Sequence, residues 1–354
     1  MLLTSNIRAR LIDVLLLNIY AEKRVGYAVG KTGMAVTLLN VSRKLGQQYE
    51  YLEDHAISVL EETLAMEMEE PAFMNGNAGI GFGLHEIITD KLIDGDYDEL
   101  FASRHDKVIA QIKALEYDEK NPFDCLDYLF FVNAVEDRIS CEDKALCDSV
   151  LERLVDSHMS RFQSELVRWN VRNMYYVFAI RLMAVINSLQ SYSNGYFRRC
   201  RDLLLNNEMR LHTDDYISQY PIYYSYLYLT DLSFSRNEHS DESARLFDES
   251  LKNIITETLS FKELADVVYL SLRIKSVTDN RRKDLLSETI DRVTFEFTDD
   301  DIDRFECKLN KTMFASSDYN LGIYGGLCRL LILDCFWDDM VDGVFPKSLT
   351  RLLF

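Results

Sequence analysis

Apolar residues along this chain recur in two alternating styles. In segments such as 52–66 and 145–158 they fall at positions 52, 56, 57, 60 and 64, and at 146, 147, 150, 151, 154 and 155, the spacing of one helical face. These segments read as helices with one face on a core and the other in water. Between them run segments that are apolar nearly all round, such as Tyr176-Val-Phe-Ala-Ile-Arg-Leu-Met-Ala-Val-Ile186, which read as helices buried on every side. The apolar segments centre near Val29, Ile80, Asp127, Tyr175, Ile222, Asp266 and Ile323, at intervals of about 45 to 57 residues. The pattern predicts an all-α chain of seven repeated helical hairpins, with the apolar helices inside and the amphipathic ones outside. Such a repeat either curves into a solenoid or closes into a double-layered ring, and the periodicity is compatible with both.

Start signals support the same division. Pro71, Pro122 and Pro221 precede inner segments, where the fixed φ suits a first helical turn or the loop before it. Ser260-Phe-Lys-Glu263 reads as a capping box opening the sixth inner helix, and Ser140-Cys-Glu-Asp143 as one opening an outer helix. Ten of the 14 glycines fall in three islands, Gly26 to Gly33, Gly76 to Gly83 and Gly322 to Gly326, each running straight into an inner segment. Glycine costs a helix roughly 1 kcal/mol relative to alanine, so its clustering at helix entrances predicts close backbone packing or positive φ there. Gly30, Gly33, Gly76, Gly79, Gly325 and Gly326 are therefore expected to be structural.

Composition narrows the function. No Pro/Ser/Gly-rich linker interrupts the repeat, so residues 1–354 read as a single domain. The formal net charge of −19, with no basic stripe, argues against nucleic-acid binding through phosphate neutralisation. Seven cysteines without a CxxC pair fit neither a disulfide framework nor a paired-thiol metal site, and point to a reducing, cytoplasmic setting. No membrane helix is expected, because Arg329 and Asp334 break the best apolar run. Gly26-Tyr-Ala-Val-Gly-Lys-Thr32 has three residues between its glycines instead of the four of a phosphate loop, and no preceding strand.

The island Met74-Asn-Gly-Asn-Ala-Gly-Ile-Gly-Phe-Gly-Leu84, with Asp94-Gly-Asp-Tyr-Asp-Glu99 after it, resembles the lanthionine synthetase cyclase-like (LanC-like) family. Gly30-Lys-Thr-Gly-Met-Ala-Val-Thr-Leu-Leu39 and Leu321-Gly-Ile-Tyr-Gly-Gly-Leu327 resemble its first and last repeats. The resemblance implies a double-layered α/α toroid, and so a closed ring. It also implies a zinc ion, held by two cysteines and a histidine, that activates a peptide cysteine for addition to a dehydrated serine or threonine. Zinc suits that step because it lowers the pKa of a bound thiol. Yet the sequence contains no Cys-His-Gly. The fifth inner segment reads Tyr220-Pro-Ile-Tyr-Tyr-Ser-Tyr226 and the sixth Phe261-Lys-Glu-Leu-Ala-Asp-Val-Val268, both without cysteine or histidine. A zinc-less member is expected, without metal or other cofactor.

Candidate ligand-binding residues follow from the inner-helix entrances. Lys31, Asn75, Asn77, Tyr223, Tyr224 and Tyr324 are expected to converge on one ring mouth as a polar and aromatic funnel beside a partly acidic surface, suited to a basic extended peptide. His85 lies just inside the helix after the second island, although a core hydrogen bond is the plainer role for a lone histidine. Asp124, Asp127 and Asp266 sit near inner-helix starts, where capping competes with a catalytic carboxylate pair. Asp54-His55 and His105-Asp106 are read as solvent-facing, and Cys328 and Cys335 as small buried residues. The leading expectation is an accessory protein binding a precursor peptide or a peptide-modifying enzyme during synthesis of a modified ribosomal peptide. The alternatives are a carbohydrate-processing enzyme with a carboxylate pair and a peptide cyclase that needs no zinc.

Overall fold

The structure, a computed structural model, describes residues 2–165, 169–188, 220–234, 241–278, 280–298, 302–314, 321–324 and 326–352. The described helices are α1 (Ser5–Ile19), α2 (Lys31–Lys44), α3 (Tyr51–Ala65), α4 (Asn77–Thr89), α5 (Tyr97–Lys113), α6 (Asp124–Ala134), α7 (Cys141–Glu165) and α8 (Trp169–Ser188). They continue with α9 (Tyr220–Phe234), α10 (Asp241–Lys252), α11 (Phe261–Val277), α12 (Asn280–Phe295), α13 (Ile302–Phe314), α14 (Leu327–Cys335), α15 (Trp337–Val341) and α16 (Lys347–Leu352). No strand occurs among the described residues.

Seven of these helices form a closed inner ring. In order, α2, α4, α6, α8, α9, α11 and α14 each pack on the next, and α14 packs back on α2. Closure, which periodicity left open, is therefore observed. The outer layer places α3 on α2, α5 on α4, α7 on α6, α10 on α9 and α12 on α11, while α1 covers the junction of α14 and α2.

The two hydrophobic styles explain the layers. Every residue from Lys31 to Ser42, from Asn77 to Ile87 and from Cys125 to Ala134 is buried, as an inner helix enclosed on all sides requires. By contrast, α3 buries only Leu52, Ala56, Val59, Leu60 and Thr63, one face of a helix, and Ile57 is exposed. A buried ion pair helps fasten the ends of the chain together. Arg8 on α1 reaches Asp334 on α14, Nε to Oδ2, at 2.5 Å, and the other Asp334 oxygen accepts from the Leu3 amide at 2.9 Å. The Tyr27 hydroxyl donates to the Leu352 carbonyl at 2.9 Å, which ties the C-terminal helix to the first island.

Candidate functional site: the mouth of the inner ring

Each glycine island is a strap that doubles back over the entrance of its own helix. The amides of Lys31 and Thr32 donate to the carbonyls of Arg24 and Val25 (2.9 and 3.2 Å). Those of Asn77 and Ala78 donate to Glu70 and Pro71 (2.9 and 3.1 Å), and that of Cys328 to Leu321 (3.3 Å). The partner always lies seven residues back. Amides left without partners at a helix start are normally open to anions, but here the strap takes them. The straps also join one another: Tyr27 N donates to Phe73 O (3.4 Å), Val25 N to Asn75 Oδ1 (3.0 Å) and Tyr324 N to Ala28 O (3.0 Å).

In this common register Gly33, Gly79 and Arg329 are equivalent, each two residues after the first residue of its helix. A Cβ at Gly33 would run into the Tyr27 carbonyl oxygen of its own strap. Position 329 admits an arginine because the third strap follows another path. Gly326 turns through φ 101°, whereas Gly30 and Gly76 are extended at −113° and −141°. Gly325 lies outside the described residues.

A cavity of about 510 Å³ opens at the inner-helix entrances. One wall is apolar, made by Met74, Phe123, Val177, Ile180, Ala184 and Ile222. The lining also includes Tyr226 from α9, Lys262, Glu263 and Asp266 from α11, and Arg329 from α14. Asp266 is shared by two cations: Arg329 pairs with Oδ1, and Lys262 Nζ lies 2.7 Å from Oδ2. Burial pushes the Asp266 carboxyl up, but the charges and hydrogen bonds of Arg329 and Lys262 outweigh it and hold the group below its ordinary value. The sixth inner helix opens with the capping box read from the sequence, Ser260 N donating to Glu263 Oε2 at 2.8 Å.

Arg181 forms a second polar corner. It pairs with Asp127 and donates to the Tyr324 hydroxyl, and its guanidinium lies 5.5 Å from the Phe123 ring centroid and 4.8 Å from that of Tyr324. For Asp127 burial outweighs the arginine, so its carboxyl is raised. Next to it, burial and then the charge of Asp127 push Asp124 up to about 6. A carboxyl raised on folding stabilises most below its unfolded value near 3.8, and that contribution is lost as pH rises through about 6. Replacing Asp124 with Asn is therefore expected to raise stability above pH 7 by about 1 to 2 kcal/mol, after discounting for partial exposure, with no gain at pH 4. Thermal melts of both proteins across that range check the sign.

The structure sorts the candidate residues. Asp266 and Tyr324 reach the cavity, and Asp127 stands behind Arg181. Lys31 does not: its Nζ turns outward to Glu62 on α3 at 2.6 Å. Asn75 fastens the second strap to the first, and Asn77 donates to the Met68 carbonyl at 3.0 Å. His85 is buried beneath the outer layer, with Nε2 3.1 Å from Asp137 and its ring edge-on to Tyr97. Tyr223 is 2% exposed and packs between the rings of Tyr176 and Tyr224, so it fills the core, and Tyr224 is itself buried. The expected funnel of six residues does not form, and the charged groups at the entrances of α11 and α14 are two cations, Lys262 and Arg329, with two carboxylates, Glu263 and Asp266. His105, expected in solvent, is buried against the Tyr97 hydroxyl at 3.0 Å, which satisfies its Nδ1. Cys328 is buried, and burial pushes its thiol up to about 12, the opposite of an activated nucleophile. Sequence reasoning overlooked Arg181, Arg329 and Lys262 as cavity residues.

The cavity's donor set does not fit zinc. Among the described residues, its charged groups are two carboxylates and three cations, with no thiol or imidazole, and a divalent ion beside Asp266 would face both Arg329 and Lys262. Among the described residues, no three His, Cys, Asp or Glu side chains gather as a metal site, and no helix is long and apolar enough to cross a membrane.

No family model matches the sequence, and no curated protein matches it. Among solved structures the chain is similar to nisin cyclase, with 11% identity, 99% of this chain and 98% of that chain covered, and a TM-score of 0.64. At that identity the likeness speaks for the fold alone, an α/α toroid.

Proposed function

We propose that this chain is a zinc-less LanC-like toroid, a single ring over residues 1–354, that binds a peptide in its central cavity as an accessory in making a modified ribosomal peptide. The observation that carries the reading is the Lys262–Asp266–Arg329 cluster. It stands among the inner-helix entrances, where the family resemblance calls for thiol and imidazole ligands. The similarity to nisin cyclase supports a peptide as the ligand class. An apolar wall facing a few fixed polar groups is the usual composition of a binding cavity, and about 510 Å³ is room for a short stretch of chain. A precursor peptide is the favoured occupant, and a peptide-modifying enzyme presenting such a segment would use the same mouth.

The test uses a fluorescent model peptide holding one cysteine and one dehydroalanine. The expected results are a rise in anisotropy on adding the protein, thioether formation no faster than without it, and far less than one zinc per chain by elemental analysis of metal-replete protein. Accelerated thioether formation together with about one zinc per chain would defeat the reading.

A carboxylate-pair enzyme is the second reading, because the environments of Asp127 and Asp266 push their carboxyls in opposite directions. Against it, each carboxylate is closed off by a guanidinium. Turnover of an aryl glycoside that disappears in Asp127→Asn would favour it.

A further inference from the structure

The chain's own C-terminal segment runs inside the ring. α16 packs on α8, Arg351 Nη1 lies 3.0 Å from Glu86 Oε1 on α4, and the Phe345 ring stands edge-on to Tyr269 on α11, centroids 6.1 Å apart. In the order of the ring α6 separates α4 from α8, and α9 separates α8 from α11. One segment that meets three helices, no two of them neighbours, lies across the lumen. Two of its contacts are at mid-height: Tyr269 is the central residue of α11, and Tyr27, whose hydroxyl donates to the Leu352 carbonyl at 2.9 Å, packs edge-on against Phe82 in the middle of α4.

The lumen is the right width for it. Seven helices packed about 9 Å apart form a ring about 21 Å across between axes, which leaves about 11 Å once a helix width of about 10 Å is subtracted. That is the width of one helix. The chemistry is complementary too. Acidic residues outnumber basic ones by 19 in the whole chain, yet residues 345–352 hold Lys347 and Arg351 and no acid. The ring offers carboxylates in return: Glu86, itself buried, takes Arg351, and Asp90, one turn on, accepts from the Ser348 hydroxyl. Leu349 and Leu352, three apart and so on one helix face, are 0% and 1% exposed.

We propose that the half of the lumen away from the mouth is a second peptide seat, filled in cis by residues 345–352, and that its ligand is a basic segment with leucines three apart. The inference does not depend on what the mouth cavity binds. Apolar anchors at i and i+3 on a short helix, beside one cation on a buried carboxylate, are the means by which a groove recognises a helical segment. A partner's segment of the same chemistry competes with the chain's own. Tethering gives the chain's own segment a high effective concentration, so the seat stays closed to other peptides until that segment is released.

The experiment uses the full chain with a protease site inserted between Val344, which is exposed, and Phe345, cut only after folding. The probe is a fluorescein-labelled peptide of residues 345–352. The cut protein is expected to keep its helical circular-dichroism signal, to exchange its own segment for the probe, and to bind the probe at least about ten-fold more tightly than the uncut protein does. Glu86→Gln in the cut protein is expected to weaken the probe about ten-fold, the scale of one charge-assisted hydrogen bond, and to leave a probe carrying Arg351→Gln unaffected. Equal binding by cut and uncut protein puts the probe elsewhere and overturns the seat. A cut protein that never exchanges its segment, or that loses its helical signal as the segment leaves, makes residues 345–352 a fixed part of the core and overturns it as well. A probe indifferent to Glu86→Gln overturns recognition of the basic residue.

Discussion

Replacing Asp266 alone with Ala is expected to destabilise the protein by about 3 to 5 kcal/mol, because it leaves Arg329 buried with a second cation close by and their shared carboxylate gone. Burying charge is costly, and that cost is offset here by geometry: Arg329 pairs with one oxygen and Lys262 lies 2.7 Å from the other. Removing the anion converts mutual attraction into repulsion within a buried corner. Removing charge on both sides should cost less than removing the anion alone, so Asp266→Ala with Arg329→Met is expected to recover part of the loss. Denaturant melts of the two single variants and the double variant measure the coupling. Additive losses would mean that the three groups are held independently by the helices around them.

The ring was largely legible in the sequence, and the reason is physical. A helix enclosed on all sides must be apolar all round, as 176–186 is, and an outer helix need bury only one face, as α3 does. Closure was not legible from periodicity, since it depends on α14 meeting α2, a contact between residues nearly 300 apart; the glycine islands supplied it only through resemblance. The site was read less well. Tyr223 and Tyr224, expected at the mouth, are both buried and Tyr223 lies in the core, while Tyr226 of the same run lines the cavity, because a crowded run on an enclosed helix fills space first. The stronger signal was a single charge in an otherwise apolar inner helix. Arg181 interrupts 176–186, and Arg329 interrupts Leu327-Cys-Arg-Leu-Leu-Ile-Leu333. A guanidinium there must find a carboxylate, and the near-entrance acids Asp127 and Asp266 are those partners. Reading the charges as pairs would have located the cavity.

The straps carry the other large effect. Gly79 faces two backbones at once: a Cβ there would collide with the carbonyl oxygen of Phe73 and with the amide nitrogen of Tyr27. Neither is the end of a flexible side chain. Because the Tyr27 amide donates to that same Phe73 carbonyl at 3.4 Å, the added carbon would force apart the joint between the first two straps. Gly79→Val is accordingly expected to cost more than about 3 kcal/mol, or to leave the protein insoluble. Gly95→Ala serves as the comparison, since its Cβ would meet only side-chain carbons, the nearest at 3.6 Å, and it should shift stability by about 0.5 kcal/mol or less. Melting curves of the two variants separate a packing role from a binding one. If Gly79→Val melts with the unaltered protein yet no longer binds the fluorescent peptide, the second island is a ligand loop; joint loss of stability and solubility identifies it as the packed joint between the first two straps.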